Sequence, residues 1–170
     1  MQTPADVKTP QLREPSHRVS RRAVAFWAAR AAAGWIGVIA IEVVVLLVGE
    51  HDMVSWRYLT IAATGGVAIA HVVVMPRWRY RVHRWETTPS AVYTQTGWFT
   101  QERRIAPVSR IQTVDIQRGP LEQLFRLANV TVTTASAAGP LEIHGLDHAT
   151  AERIVDELTT SAHTVTGDAT

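Results

Sequence analysis

The chain has no cysteine and only one lysine, Lys8, beside sixteen arginines. Without cysteine there can be no disulfide, no thiol nucleophile and no cysteine-ligated zinc or iron–sulfur centre. The redox compartment is not fixed by that absence. Scarce lysine, together with abundant alanine, valine and threonine, is the composition of a protein from a GC-rich bacterium. A basic face is also missing from the largest continuous polar region: residues 85–170 carry six arginines against ten acids, a net charge of −4. A nucleic-acid binder places its basic footprint on the folded domain itself, so no nucleic acid is expected as partner. The 170 residues suffice for one ordinary domain and a modest additional segment.

Formal charge is nearly absent from two long stretches. "AAAGWIGVIAIEVVVLLV", Ala31 to Val48, contains one charged residue in eighteen, and the apolar run extends back to Val24. "YLTIAATGGVAIAHVVVM", Tyr58 to Met75, contains none when His71 is neutral. About 20 apolar residues at 1.5 Å each cross a hydrocarbon core of roughly 30 Å. Buried helices of a soluble protein would carry a polar stripe, and neither stretch has one. The sequence therefore predicts transmembrane helices at about 24–48 and 58–75. Together they form a hairpin over 23–76, closed by the short link "GEHDMVSWR".

The arginines sit outside that hairpin. Arg21 and Arg22 precede the first span, and the run "MPRWRYRVHRW" follows the second, with Arg77, Arg79, Arg81 and Arg84 interleaved with Trp78, Tyr80 and Trp85. The link between the spans has only Arg57, beside Glu50 and Asp52. Arginine excess marks the cytoplasmic side, and tryptophan and tyrosine favour the membrane–water interface. Both termini are expected in the cytoplasm, the location is the cytoplasmic (inner) membrane, and these nine residues are the expected membrane interface, with Pro76 ending the second helix. The Arg21–Arg22 pair also resembles a twin-arginine export signal. Its apolar run is too long for one, and no small-residue cleavage site follows.

Inside the spans the polar residues are Glu42, Thr64 and His71. Glu42 lies about 9 Å from the outer end of the first helix, a depth that matches Thr64 and Gly65 in the antiparallel partner. An intramembrane carboxyl is a candidate coupling group. A single acid without a relay fits better as a protonated or Thr-bonded residue pinning the hairpin. Ala62, Gly66 and Ala70 form a small-residue stripe that permits close helix approach.

Beyond the spans the pattern shifts to short alternating runs. "WRYRVHRWET" alternates with period two, "AVYTQT" and "GWFTQERRI" make a hairpin around Gly97, and "RIQTVDIQ" ends at Gly119–Pro120. "LEQLFRLA" allows one or two helical turns, "NVTVTTAS" and "LEIHG" are strands, and Asp147 opens a helix to about Ala162. Its apolar positions Ala151, Ile154, Val155 and Leu158 follow helical spacing. Trp98 and Phe99, just past the hairpin glycine, either fill the core, the favoured reading, or insert into lipid. The reading is a cytoplasmic, mainly β domain over 77–163, with disordered tails at 1–22, which is basic, and at 164–170.

The run Val92 to Thr134 resembles the bacterial pleckstrin-homology-like domain of the YdbS-like membrane proteins. The matching residues are Gly97 in the hairpin, Arg103 and Arg104 before Ile105, Pro107, Ile111 in "RIQTV", and Gly119, Pro120, Leu121 and Leu124 in "GPLEQLFRL". Members of that family often have glycine where this chain has Arg126. The resemblance implies a PH-like fold: two roughly orthogonal antiparallel sheets with one open end plugged by a C-terminal helix. Eukaryotic PH domains bind phosphoinositides through basic residues of the first strands, and Arg103 and Arg104 are the nearest candidates for a lipid-headgroup site.

No catalytic motif is present: neither a G-x-S-x-G elbow, nor H-E-x-x-H, nor a P-loop. His144 and His148 are four apart but separated by Gly145 and a helix start, so no metal site is expected of them. No cofactor or small-molecule substrate is implied. The expected function is that of a non-enzymatic membrane protein displaying a PH-like domain for interaction. Its partners are the lipid bilayer and a protein, which includes self-association. The alternative is a lipid- or ion-handling component using Glu42 or the rim arginines.

Overall fold

The computed structural model describes residues 14–49, 54–97, 100–136 and 139–167. Two helices, α1 (Arg22–Val48) and α2 (Val54–Val82), form an antiparallel hairpin. Past its first two turns α1 presents Ile36, Ile41, Leu47 and Val48 outward, and α2 does the same with Leu59, Val67, Ile69 and Val74. A continuous apolar surface of this kind on two long helices is satisfied by a bilayer and not by water. Ala62, Gly66 and Ala70 face outward, while Thr64, Gly65 and Ala68 turn toward α1 or are buried, so the small-residue stripe does not make the hairpin contact.

Pro76 does not end the second helix, which runs on to Val82. Proline removes one amide bond and crowds the carbonyl four residues back. Here its ring is fully buried, and the Arg77 guanidinium donates to the Val73 carbonyl oxygen at 2.6 Å. Tyr80 and Val82 then pack toward the domain, which holds the extra turns in place. The alternating run Trp78–Val82 is therefore helix rather than strand. Gln95, almost wholly buried, donates from Nε2 to the Val82 carbonyl and closes the helix end.

Seven strands follow the topology of two antiparallel sheets. β1 (His17–Arg18), β2 (Arg84–Thr87), β3 (Ala91–Thr96) and β4 (Glu102–Pro107) make the first in that order, and β5 (Ile111–Gln117), β6 (Leu127–Thr134) and β7 (Leu141–Asp147) the second. A short helix α3 (Pro120–Leu124) links β5 to β6, and α4 (His148–Gly167) closes the core with Ala151, Ile154 and Leu158 buried and Val155 partly so. Gly97 turns the β3–β4 hairpin at φ +108°, where any side chain would collide with the Thr100 carbonyl. Trp98 and Phe99 lie outside the described residues.

Two further boundaries and one residue's placement differ from the sequence reading. Residues 14–22 are not a disordered tail: His17 and Arg18 pair with Trp85 and Arg84, and Val19 enters the core. Polar contacts fix this segment, with Ser16 N–H donating to Glu86 at 3.0 Å and Glu14 meeting Arg84 at 3.3 Å. Residues 1–13 are outside the described residues. At the other end α4 continues to Gly167, because no glycine or proline interrupts "SAHTVT" before it. Trp85 is not at the membrane interface either. It is 6% exposed, faces the core, and stacks on His17 at 5.1 Å, since β2 rather than the helix carries it.

Candidate functional site at the hairpin–domain junction

Ala23, Phe26 and Trp27 of α1 belong to the same buried cluster as Val92, Leu127, Val130, Leu146 and Ile154 of the β domain. Hairpin and domain thus share one core. Next to it, two clefts of about 520 Å³ each meet at Met75, Arg79 and His144. One opens between α2 and the β3–β4 hairpin, with His83, Arg104 and Glu142 in its wall. The other lies beside α1, with Trp27, Arg30, His71 and Glu122.

Arg79 is the centre of the arrangement. Its guanidinium lies over the Trp27 ring at 4.5 Å and its Nε donates to His83 Nε2 at 3.3 Å. His83 is 4% exposed, and its Nδ1 meets the Arg79 carbonyl oxygen at 2.9 Å. A ring that donates from Nδ1 and accepts at Nε2 is the neutral imidazole. Burial, with the Arg79 charge adding to it, pushes His83 down to about 4. His144 also falls below the ordinary histidine range through burial, although Glu142, at 2.9 Å from its Nε2, pulls the other way.

The pH dependence follows from the sign of that shift. His83 binds a proton less readily folded than unfolded, so its contribution is complete above about 6.5 and is lost as pH falls toward about 4. Between pH 7 and pH 4.5 the wild type is expected to lose on the order of 2 kcal/mol more stability than His83→Gln. Thermal unfolding of both proteins in the same detergent at the two pH values measures it. Equal losses would mean that His83 does not titrate against the fold.

The remaining sequence-selected residues fall into separate places. Arg21, Arg22, Arg77, Trp78 and Arg81 are exposed around the junction, with Arg22 reaching Asp147 at 3.4 Å. Tyr80 packs partly against the core, and Arg84 is in β2. Arg103 and Arg104 point into the domain's own contacts. Arg103 Nε donates to Gln95 at 2.9 Å, and Arg104 donates to the Gly139 and Pro140 carbonyls and approaches Glu102 at 3.7 Å. His144 lies in β7 and His148 at the start of α4, each paired with a different glutamate.

Within the hairpin, Thr64 donates to Glu42 Oε1 at 2.7 Å, while Glu42 Oε2 is shielded and has no hydrogen-bond partner among the described residues. A second bond joins Trp35 Nε1 to His71 Nδ1 at 3.0 Å. The two are seven residues apart on each helix, two turns, so they fix the register of the pair. Each interhelical bond of this kind contributes about 0.6 to 1.7 kcal/mol.

Sequence reading did not bring Trp27, Arg30, Gly145 and the His144–Glu142 pair together at one site. Gly145 alone left a signal, a glycine inside a strand run, which marks a bulge or a close backbone approach. Chemically the His144–Glu142 pair supplies a base without a nucleophile: among the described residues no hydroxyl is hydrogen-bonded to His144.

A cysteine-free two-span hairpin carrying two antiparallel sheets and a closing helix defines a membrane-anchored PH-like protein. The bacterial PH domain family matches residues 30–162, and the chain belongs to that family. It is similar to the UPF0699 transmembrane protein YdbS of Bacillus subtilis (strain 168), with 31% identity over 117 residues, 66% of this chain and 72% of that one. No solved structure matches it.

Proposed function

We propose that the protein is a non-enzymatic scaffold of the inner membrane, with both termini in the cytoplasm, that holds its PH-like domain in a fixed attitude to engage a protein, a second copy of itself included. The arginine distribution around the hairpin supports the orientation. The shared core of α1 and the β domain supports the fixed attitude.

One observation carries the interaction role. β5 hydrogen-bonds a strand on one side only among the described residues, and Gln112, Thr113, Asp115 and Gln117 along it are exposed. A seven-residue edge with polar outward side chains accepts an added strand through its main chain.

A photo-crosslinking amino acid at Gln112 or Thr113, with Arg153 on α4 as control, tests the proposal in intact membranes. A protein adduct of one defined mass is expected from the β5 positions and not from α4. Lipid adducts alone, or the same adducts from all three positions, would overturn it.

A further inference from the structure

Every exposed large hydrophobic side chain among the described residues lies in α1 or α2, with two exceptions: Leu121, 47% exposed, and Leu124, 74% exposed. Both belong to the five-residue α3. Among the described residues these two leucines, three positions apart, are the only large apolar side chains of the domain left exposed outside the spans.

The position of α3 identifies their neighbour. Phe125, the residue after it, meets Phe26 of α1 edge to face at 5.9 Å. Glu122 lines the same cleft as Phe26 and Arg30 of α1 and His71 and Met75 of α2. From Arg30 to the end of α1 at Val48 the helix rises about 27 Å, close to the thickness of the hydrocarbon core. The level of Arg30 is therefore the boundary of the bilayer, and α3 hangs beside it on the membrane side of the domain.

Charge fits the same neighbour. Exposed Arg126 follows the two leucines, and Arg118, whose Nε donates to the Leu127 carbonyl at 3.1 Å, precedes them. Glu122 between them faces the cleft, and Arg77 and Arg81 are exposed at the end of α2. Arginines flanking an apolar tip suit anionic headgroups around an inserted helix. Arg126 holds φ +56°, a left-handed conformation unusual for a side chain of this size, and its amide donates to the Gln123 carbonyl at 3.0 Å. The turn sends the chain straight back into β6, leaving the leucines at the tip.

We infer that α3 is a third membrane contact, in which Leu121 and Leu124 enter the headgroup–acyl boundary and continue the lipid-facing surface of the two spans. It fixes the tilt of the domain on the bilayer. The inference does not depend on the strand-addition reading of β5.

Because the chain has no cysteine, one introduced cysteine carries a spin label without background. Labels at Leu124→Cys and Leu121→Cys are compared with Arg153→Cys and Asp156→Cys, both on α4 and away from the β5 edge, in proteoliposomes of phosphatidylethanolamine and phosphatidylglycerol. All four positions are exposed, so labelling leaves the core intact. The ratio of collisions with oxygen to collisions with an aqueous nickel chelate is expected to be severalfold higher at 121 and 124 than at the controls. A ratio equal to the controls would place α3 in water and overturn the inference. Labels immobilised and reached by neither collider would overturn it as well, assigning the leucines to a contact between copies of the chain.

Discussion

Replacing Trp27 by alanine is expected to destabilise the whole protein by about 3–5 kcal/mol. The indole is 4% exposed and sits where α1 enters the core of the β domain. Removing it leaves a cavity that only a shift of the helix could fill. It also removes the ring beneath Arg79 at 4.5 Å and the neighbour of the His83 ring at 5.3 Å, so a half-buried cation loses the face it rests on. Trp27→Phe keeps a ring and is expected to lose less than half as much. In detergent, the alanine variant should unfold roughly 10 °C below the wild type. A shift no larger than that of an exposed substitution would mean that hairpin and domain are independent bodies, and the fixed attitude of the domain would be lost with it.

The spans were readable because lipid imposes one rule, about twenty apolar residues, that neighbours in sequence satisfy without help. The buried face of α4 was readable for a similar reason: Ala151, Ile154 and Leu158 recur at the helical period. The match of Glu42 with Thr64 followed from the rise per residue alone. What sequence did not show depends on contacts between distant segments. Pro76 stops a helix by local rules, yet α2 continues because Tyr80 and Val82 find the domain core and Gln95 caps the end. Trp85 reads as an interface residue beside arginines, but a strand places it inward. β1 exists only because β2 offers it an edge. The junction clefts combine residues from both helices and both sheets, so no spacing within one segment announces them.

Gly145→Val is expected to separate the domain from the hairpin more locally than Trp27→Ala, at a cost on the order of 3 kcal/mol. The pairing of β6 and β7 passes from Ala128–Leu146 to Val130–Ile143, so Asn129 alone faces His144 and Gly145. That is a β-bulge with a glycine at φ +73°. Two hydrogen bonds use it: Gly145 N–H donates to Asn129 Oδ1 at 3.0 Å, and the Gly145 carbonyl accepts from Ser20 N–H at 2.9 Å. The second bond ties β7 to the chain entering α1. A Cβ here would lie 2.9 Å from the Ala23 Cβ and 3.5 Å from the Trp27 ring. Ala23 is short and fully buried and cannot swing away, so α1 itself must move. A β-branched side chain at positive φ adds backbone strain to that displacement. Gly145→Ala carries the same strain with less bulk and is expected to fall between wild type and valine. Protease accessibility of the 18–22 segment in membranes reads the separation directly, because Ser20 is freed when the contact opens. Valine tolerated with unchanged protection would show that the bulge serves β7 alone and that α1 is held to the domain by Phe26 and Trp27 without it.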